Sequence, residues 1–316
     1  MKIYRIKLRP LSAWRSEWQA DTIAGLLCWT VARNFGGEIL QNEILQKCAD
    51  GKPPFVLSDA FPFDYLPIPE IARLRIENPS KEIKKSRWLS PEIFKQAQNG
   101  EILKGDDFIK DDFIHRETHM HNTLDRLNDT TGDGGGLFAL TDFFGRTEKP
   151  DDEFYLSVYA RIEENYVARL SELFRLLSES GFGADISTGK GQFEVLSDFE
   201  ECDWLDQVDG ETNGITVLST FQPAETDPTE GVWESFVKFG KIGADFGLEN
   251  VFKRPLLLFK PGACFQTGEQ KHFVGRIIPI NELLDNSQIA QIEKFSANIN
   301  QLCYGLAVPQ IWKVEL

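Results

Sequence analysis

Gly181-Phe182-Gly183-Ala184-Asp185-Ile186-Ser187-Thr188-Gly189-Lys190-Gly191 carries four glycines, two hydroxyls and one lysine in eleven residues. Bare backbone N–H groups in such a loop come close to an anion. The neighbouring elements decide what kind of loop it is. An amphipathic pattern at 164–180 precedes it, with Val167, Leu170, Leu173, Phe174 and Leu177 on one side. A short strand-like run, Gln192-Phe193-Glu194-Val195-Leu196, follows. A Walker loop joins a strand to the next helix and ends Gly-Lys-Ser/Thr. Here the order is helix, loop, strand, and the ending is Gly-Lys-Gly. The dinucleotide fingerprint fails in spacing and in element order. Two readings stand: a helix-to-strand turn with Gly181 as helix C-cap, or a backbone cradle for a nucleic-acid phosphate.

Working outward, residues 2–9 read as a strand, with Tyr4, Ile6 and Leu8 on one face and Arg5, Lys7 and Arg9 on the other. Asp21-Thr22 offers a helix N-cap, Leu26, Leu27, Thr30 and Val31 supply the stripe, and Gly36-Gly37 ends it. A short helix is expected at 41–49. Prolines 53, 54, 62, 67 and 69 make 53–69 an irregular strand-and-loop segment. Ser90-Pro91-Glu92 starts a helix. Residues 100–136 read as polar loop, ending in the glycine cluster 132–136. Strands at 137–144 and 153–161, joined by a Pro/Asp-containing turn, lead to the 164–180 helix. Strand–helix–strand–strand–helix–strand is the ferredoxin-like order. After residue 200, strands are expected at 214–221, 232–239, 255–260 and 273–280, a helix at 287–302, and a terminal strand at 311–316. This gives an α+β chain of two domains, 1–200 and 201–316.

The 316 residues are 41% hydrophobic and 26% charged, the composition of an ordinary soluble globular protein. No apolar run is long enough to span a membrane, and the alternating N-terminus does not read as a signal peptide. Five scattered cysteines without Cys-x-x-Cys spacing fit reduced thiols in a cytoplasm. The net charge of −15 argues against nucleic-acid binding, but it is unevenly placed. Residues 196–250 hold 13 acidic and two basic residues, leaving −4 for the rest of the chain. The first 20 residues are locally basic. A basic face with an acidic back is one consequence; a solvated surface and an interface for a basic partner protein are the two readings of the acidic block.

Three of the four histidines fall in His115-Arg116-Glu117-Thr118-His119-Met120-His121. His115 and His119 would share a helix face, His119 and His121 a strand face. Both arrangements suit a metal, but the Glu of His-Glu-x-x-His is missing, so a polar loop stands beside metal binding. His121-Asn122-Thr123-Leu124-Asp125-Arg126 follows, where Asn, Thr and Arg suit phosphate or ribose and Asp125 suits Arg126. Lys253, Arg254 and Lys260 flank an apolar run ending in Pro261-Gly262. No Gly-x-Ser-x-Gly elbow or kinase signature set is present.

Taken together, the segments Trp14 with Gln19 to Trp29, Leu57-Ser58-Asp59-Ala60-Phe61-Pro62, His121 to Arg126, Gly181 to Phe193 and Phe259-Lys260-Pro261-Gly262 resemble a family. The chain is similar to the fourth subunit of the type III-A CRISPR Csm effector complex, a member of the RAMP superfamily. The matching segments run from residue 1 to about 265. The resemblance implies two ferredoxin-like (RRM-like) domains with long insertions, no catalytic role and no cofactor. It implies an antiviral-defence subunit that caps the complex at the crRNA 5′ handle, docks the large polymerase/nuclease subunit and lies beside a backbone RAMP subunit. Gly181, Gly183, Ser187, Thr188, Gly189, Lys190 and Gly191 would form the RNA-facing loop. His121, Thr123, Asp125 and Arg126 would form or support a second contact, and Asp21, Thr22 and Gly25 would start and pack the first helix. Phe182 is open to two roles, a stacking platform or the core. The alternative activity is a RAMP-type, metal-independent endoribonuclease for CRISPR precursor RNA, with His119 or His121 as base.

Overall fold

The computed structural model describes residues 1–76, 78–110, 112–122, 136–147, 152–242, 247, 250–292 and 299–313. Strand β1 (Lys2–Pro10) buries Tyr4, Ile6 and Leu8, as its alternation predicts. Helix α1 (Ala20–Phe35) presents Ile23, Leu27 and Val31 to the core. Its N-cap is Gln19, without a side-chain cap bond, and not Asp21 or Thr22. Asp21 is inside the helix, where Lys238 and Gln301 claim its carboxylate and leave nothing for capping. Helices α2 (Gly37–Leu40) and α3 (Gln46–Ala49) are joined by a π-turn, Gln41–Leu45. Strand β2 (Phe55–Pro62) is buried throughout and shifts register between Leu57 and Ala60.

An insertion follows: β3 (Leu66–Pro67), α4 (Glu70–Leu74), α5 (Lys81–Lys85), β4 (Trp88–Leu89) and α6 (Pro91–Gln98). The Ser90 hydroxyl accepts from Ile93 N–H with Pro91 at the helix start, as expected. The segment read as loop then contains β5 (Ile114–Asn122), paired along its length with β6 (Leu137–Gly145). Its polar alternation marks a strand with both faces largely outside the core. The glycines at 132–135 lie outside the described residues. Strand β7 (Leu156–Ile162) is not a partner of β6; it inserts between β1 and β2. Helix α7 (Val167–Ser180) buries Leu170, Leu173, Phe174 and Leu177 and leads through the glycine loop to β8 (Phe193–Val195) and β9 (Glu200–Glu201). The first sheet runs β2-β7-β1-β8, with β9 also on β1 and every pairing antiparallel.

The second half holds β10 (Gly214–Val217), β11 (Gly231–Val232), β12 (Ser235–Lys238), β13 (Leu256–Phe259), β14 (Cys264–Gln266), β15 (Phe273–Pro279), α8 (Ile280–Leu283), α9 (Asn286–Ile292) and β16 (Asn300–Gln310). Its main sheet runs β11-β14-β10-β16-β15. Among the described strands this order departs from the ferredoxin-like one. β15 and β16 bracket α8 and α9 yet pair directly and antiparallel, leaving no strand between them. The helix expected at 287–302 gives way to β16 by Asn300. The terminal strand is therefore Asn300–Gln310; Ile311–Lys313 continue without strand structure and 314–316 lie outside the described residues. The long, buried run Leu302–Gln310 is the signature of a central strand covered on both faces. Its Leu302, Leu306 and Val308 share one apolar cluster with β1, β2 and α1.

Candidate nucleic-acid interface

The loop after α7 is a built structure. Gly181 (φ 89°) ends the helix and donates its N–H to Leu177 O at 2.9 Å. The loop neck closes on itself, Phe182 N–H to Gly191 O at 2.8 Å. A Cβ on Gly191 would lie 1.9 Å from Phe182 O, so that residue is confined to glycine. A Cβ on Gly189 (φ 82°) would meet nothing within 4 Å. The outer turn, with Ser187, Thr188 and Gly189 exposed, is the open side of the loop.

The inner side rests on residues 12–18. Gln192 N–H donates to Ser12 Oγ (2.9 Å), Gly191 N–H to Ala13 O (2.8 Å) and Ala184 N–H to Ser16 Oγ (3.0 Å). The Phe182 ring stacks on Trp18 with centroids 3.7 Å apart and is fully buried. Phe182 is thus a core residue and offers no face to a base. The same segment holds the β5–β6 hairpin, through backbone pairing of Trp14 with Phe143.

Loop and hairpin meet in a four-charge cluster. Lys190 Nζ lies 2.7 Å from Asp142 Oδ2, Arg15 Nε binds Asp142 Oδ1, and Arg15 NH1 reaches Asp185 Oδ2 at 2.6 Å. Asp142 is 4% exposed, hidden beneath the side chains that pair with it. The Arg15 hydrogen bond, with that of Lys190, holds its carboxyl down at about 2, outweighing burial. Arg15 is raised by the same contacts, with Asp142 first. Asp185 is the left-handed residue (φ 60°) that opens the 3₁₀ turn Ile186–Thr188, and its carbonyl accepts the Thr188 hydroxyl.

The hairpin carries the histidines on a single face. His115 and His119 flank Glu117 at 3.4 and 3.6 Å, and Glu117 pairs in register with Asp142. His121 stacks on Phe138, and its Nε2 is buried with no hydrogen-bond partner among the described residues. Phe138 is four residues from Asp142, so His121 sits roughly 13 Å along the strand from the cluster. Thr123, Asp125 and Arg126 lie outside the described residues. Among the described residues no three His, Cys, Asp or Glu side chains converge as metal ligands.

The basic N-terminus is not an open cationic face. Lys2 pairs with Glu201, Arg5 and Lys7 with Asp64, and Arg9 with Glu153 and Glu194. On the other side of the hairpin a cleft of about 590 Å³ opens between Trp88, Phe143 and Phe236, with Lys84, Lys85 and Arg87 at its rim. In the second half, the β12–β13 ribbon exposes Trp233, Val237, Phe239 and Leu257. Lys260 is held by Glu234 at 2.7 Å. No helix among the described residues is long and apolar enough to cross a membrane.

Sequence reasoning missed Ser12, Arg15, Ser16, Trp18 and Asp142. Asp142 had a signal: it is the lone carboxylate in the apolar run Leu137-Phe138-Ala139-Leu140-Thr141-Asp142-Phe143-Phe144. A strand buries such a group only where hydrogen-bond donors or a cation meet it.

The fold is that of chains from type III-A CRISPR-Cas assemblies. One lies in a Csm1–Csm4 cassette in complex with pppApA: coverage is 100% of this chain and 99% of that one, with a TM-score of 0.63 at 14% identity. Another lies in the Csm3–Csm4 subcomplex of the type III-A CRISPR-Cas interference complex, covering 97% and 99%, with a TM-score of 0.62 at 12% identity. Csm4 is the component common to both, and this chain is Csm4-like in fold over its whole length. No protein-family model and no curated protein matches the sequence.

Proposed function

We propose that this chain is the non-catalytic crRNA-binding subunit of a type III-A Csm interference complex in antiviral defence. It holds the repeat-derived 5′ handle and docks the large polymerase/nuclease subunit, with a backbone RAMP subunit alongside, in the cytoplasm. The observation that carries this is the glycine loop: a rigidly pinned neck, an open outer turn and one lysine, in a chain with the fold of Csm4. The first sheet's β2-β7-β1-β8 order, with α1 and α7 as crossovers, supports a ferredoxin-like RAMP domain carrying that loop. Ser187 presents its hydroxyl to phosphate beside the exposed face of Gly189, and Lys190 supplies charge, while the Thr188 hydroxyl and the Thr188 and Gly189 N–H groups are spent inside the turn on Asp185 O and Ile186 O. Affinity from such contacts is salt-sensitive, while unstacked handle bases are read by hydrogen bonds and stacking. The exposed apolar β12–β13 ribbon supports partner docking.

The test is co-purification of the complex with its bound RNA sequenced, for wild type and for Lys190→Ala combined with Gly189→Asp. RNAs sharing one repeat-derived 5′ end are expected with wild type, and reduced retention with the variant, which stays folded. Unchanged retention and salt dependence would sink the loop assignment. An RNA-cleavage assay on wild type and His121→Ala reads the endoribonuclease alternative directly; cleavage lost in the variant would favour it.

A further inference from the structure

We infer that Asp142 is an internal competitor of RNA phosphate for Lys190, and that it sets how strongly the loop grips RNA. This inference rests on the loop reading above. Lys190 is the only basic residue in the segment 181–191, and its ammonium is already engaged 2.7 Å from Asp142 Oδ2. Asp142 comes from the β5–β6 hairpin, 48 residues away, so the pair links two separately built elements. Arg15 binds the other carboxylate oxygen and also Asp185. Two cations and two carboxylates leave the cluster neutral.

The consequence follows from geometry. A phosphate arrives over the exposed turn of Ser187, Thr188 and Gly189, where a Cβ on Gly189 would meet nothing within 4 Å among the described residues. To gain the lysine it takes the ammonium from Asp142. Arg15 stays on Asp142, so the carboxylate remains ionised and in place beside the incoming anion. The like charges repel, and one phosphate alone gains little. Grip therefore depends on several contacts made together, as an assembled complex provides. An acidic chain with a phosphate loop is in this way kept from holding stray single strands.

The test uses the full chain and a short fluorescein-labelled single-stranded RNA, titrated across chloride concentrations. Asp142→Asn is expected to tighten binding about tenfold at low salt and to steepen the salt slope by about 0.7, the increment for one more phosphate contact. Lys190→Ala is expected to weaken binding, and Asp142→Asn is expected to tighten it markedly less when Lys190 is absent, since only Arg15 is then released. A purely structural role for Asp142 cannot produce tighter binding. If Lys190→Ala weakens binding while folded Asp142→Asn leaves it unchanged or weaker, the inference is overturned and the loop reading stands. If Lys190→Ala changes nothing, the loop reading falls and takes the inference with it. Should Asp142→Asn fail to fold, Asp142→Ser decides, since it too leaves Lys190 without its carboxylate partner. About threefold tightening supports the inference, and none overturns it.

Discussion

Asp59 and Asp142 are two carboxylates cut off from solvent, each where distant parts of the chain meet, and their surroundings differ in kind. Asp59 accepts from Ala20 N–H (2.8 Å), Thr220 N–H (2.7 Å) and the Thr220 hydroxyl (2.7 Å), all neutral donors. Burial dominates those bonds and pushes its carboxyl up to about 7. Asp142 faces two cations and is held at about 2. Asp59 ties β2 to the start of α1 and to the segment after β10 in the second half, in the wall of the cleft. The Asp142 cluster sits at a surface, against a loop with an open side. A buried carboxylate bonded only by neutral groups is a fixed joint; one sandwiched between cations at a surface is a charge store that a ligand can tap.

The largest effect that would break this contrast is at the joint. Asp59→Ala strands three buried donors and is expected to cost about 4 kcal/mol, with the halves loosened together. Asp142→Ala leaves Arg15 and Lys190 unpaired, but both cations can turn toward water, so about 1–2 kcal/mol is expected. Chemical denaturation of both variants checks the ranking. Equal costs would mean that the hairpin contact is as structural as the joint.

Next comes pH, where the two groups act with opposite sign. The unfolded-state value for either is about 3.9. Asp59 has a raised folded value, so the folded state holds its proton more tightly. Its contribution is present below about pH 4 and is lost as pH rises to about 7. Asp142 has a depressed folded value, so its contribution is present above about pH 4 and is lost as pH falls toward 2. Denaturant midpoints across pH should show both slopes. Asp59→Asn is expected to flatten the upper one and Asp142→Asn the lower one, and a slope that survives its own substitution would refute the assignment.

The sequence made these two sites unequally legible. The alternation of residues 2–9 and the stripe of the 164–180 helix are local patterns, and the structure follows them. The loop's glycines could be named because positive φ and close approach are properties of residue type. Asp21 looked like a cap because the contacts that override capping, from Lys238 and Gln301, come from more than 200 residues away. The β5 strand read as loop because its ladder partner was not apparent, and a strand with both faces largely polar has no period-2 hydrophobic signal. Strand β16 overlaps the expected helix only at 300–302 and went unassigned over 303–310, because a two-faced buried strand has no alternation to mark it. Arg15 and Asp142, 127 residues apart, became a site only when the fold joined them.

The smallest expected effect sharpens the comparison most. Asp185 makes the outermost contact of the cluster, and its side chain is 41% exposed. Removing it should cost no more than about 0.5 kcal/mol of stability, as for other solvent-facing ion pairs. Its backbone sits at φ 60°, so Asp185→Asn, a residue tolerant of the left-handed region, isolates charge from conformation. If Asp185→Asn leaves the melting temperature within a degree or two of wild type, the outer edge of the cluster is free to exchange partners, as a charge store requires. A loss comparable to Asp142→Ala would instead show the four charges locked as one structural unit, and the distinction from Asp59 would dissolve.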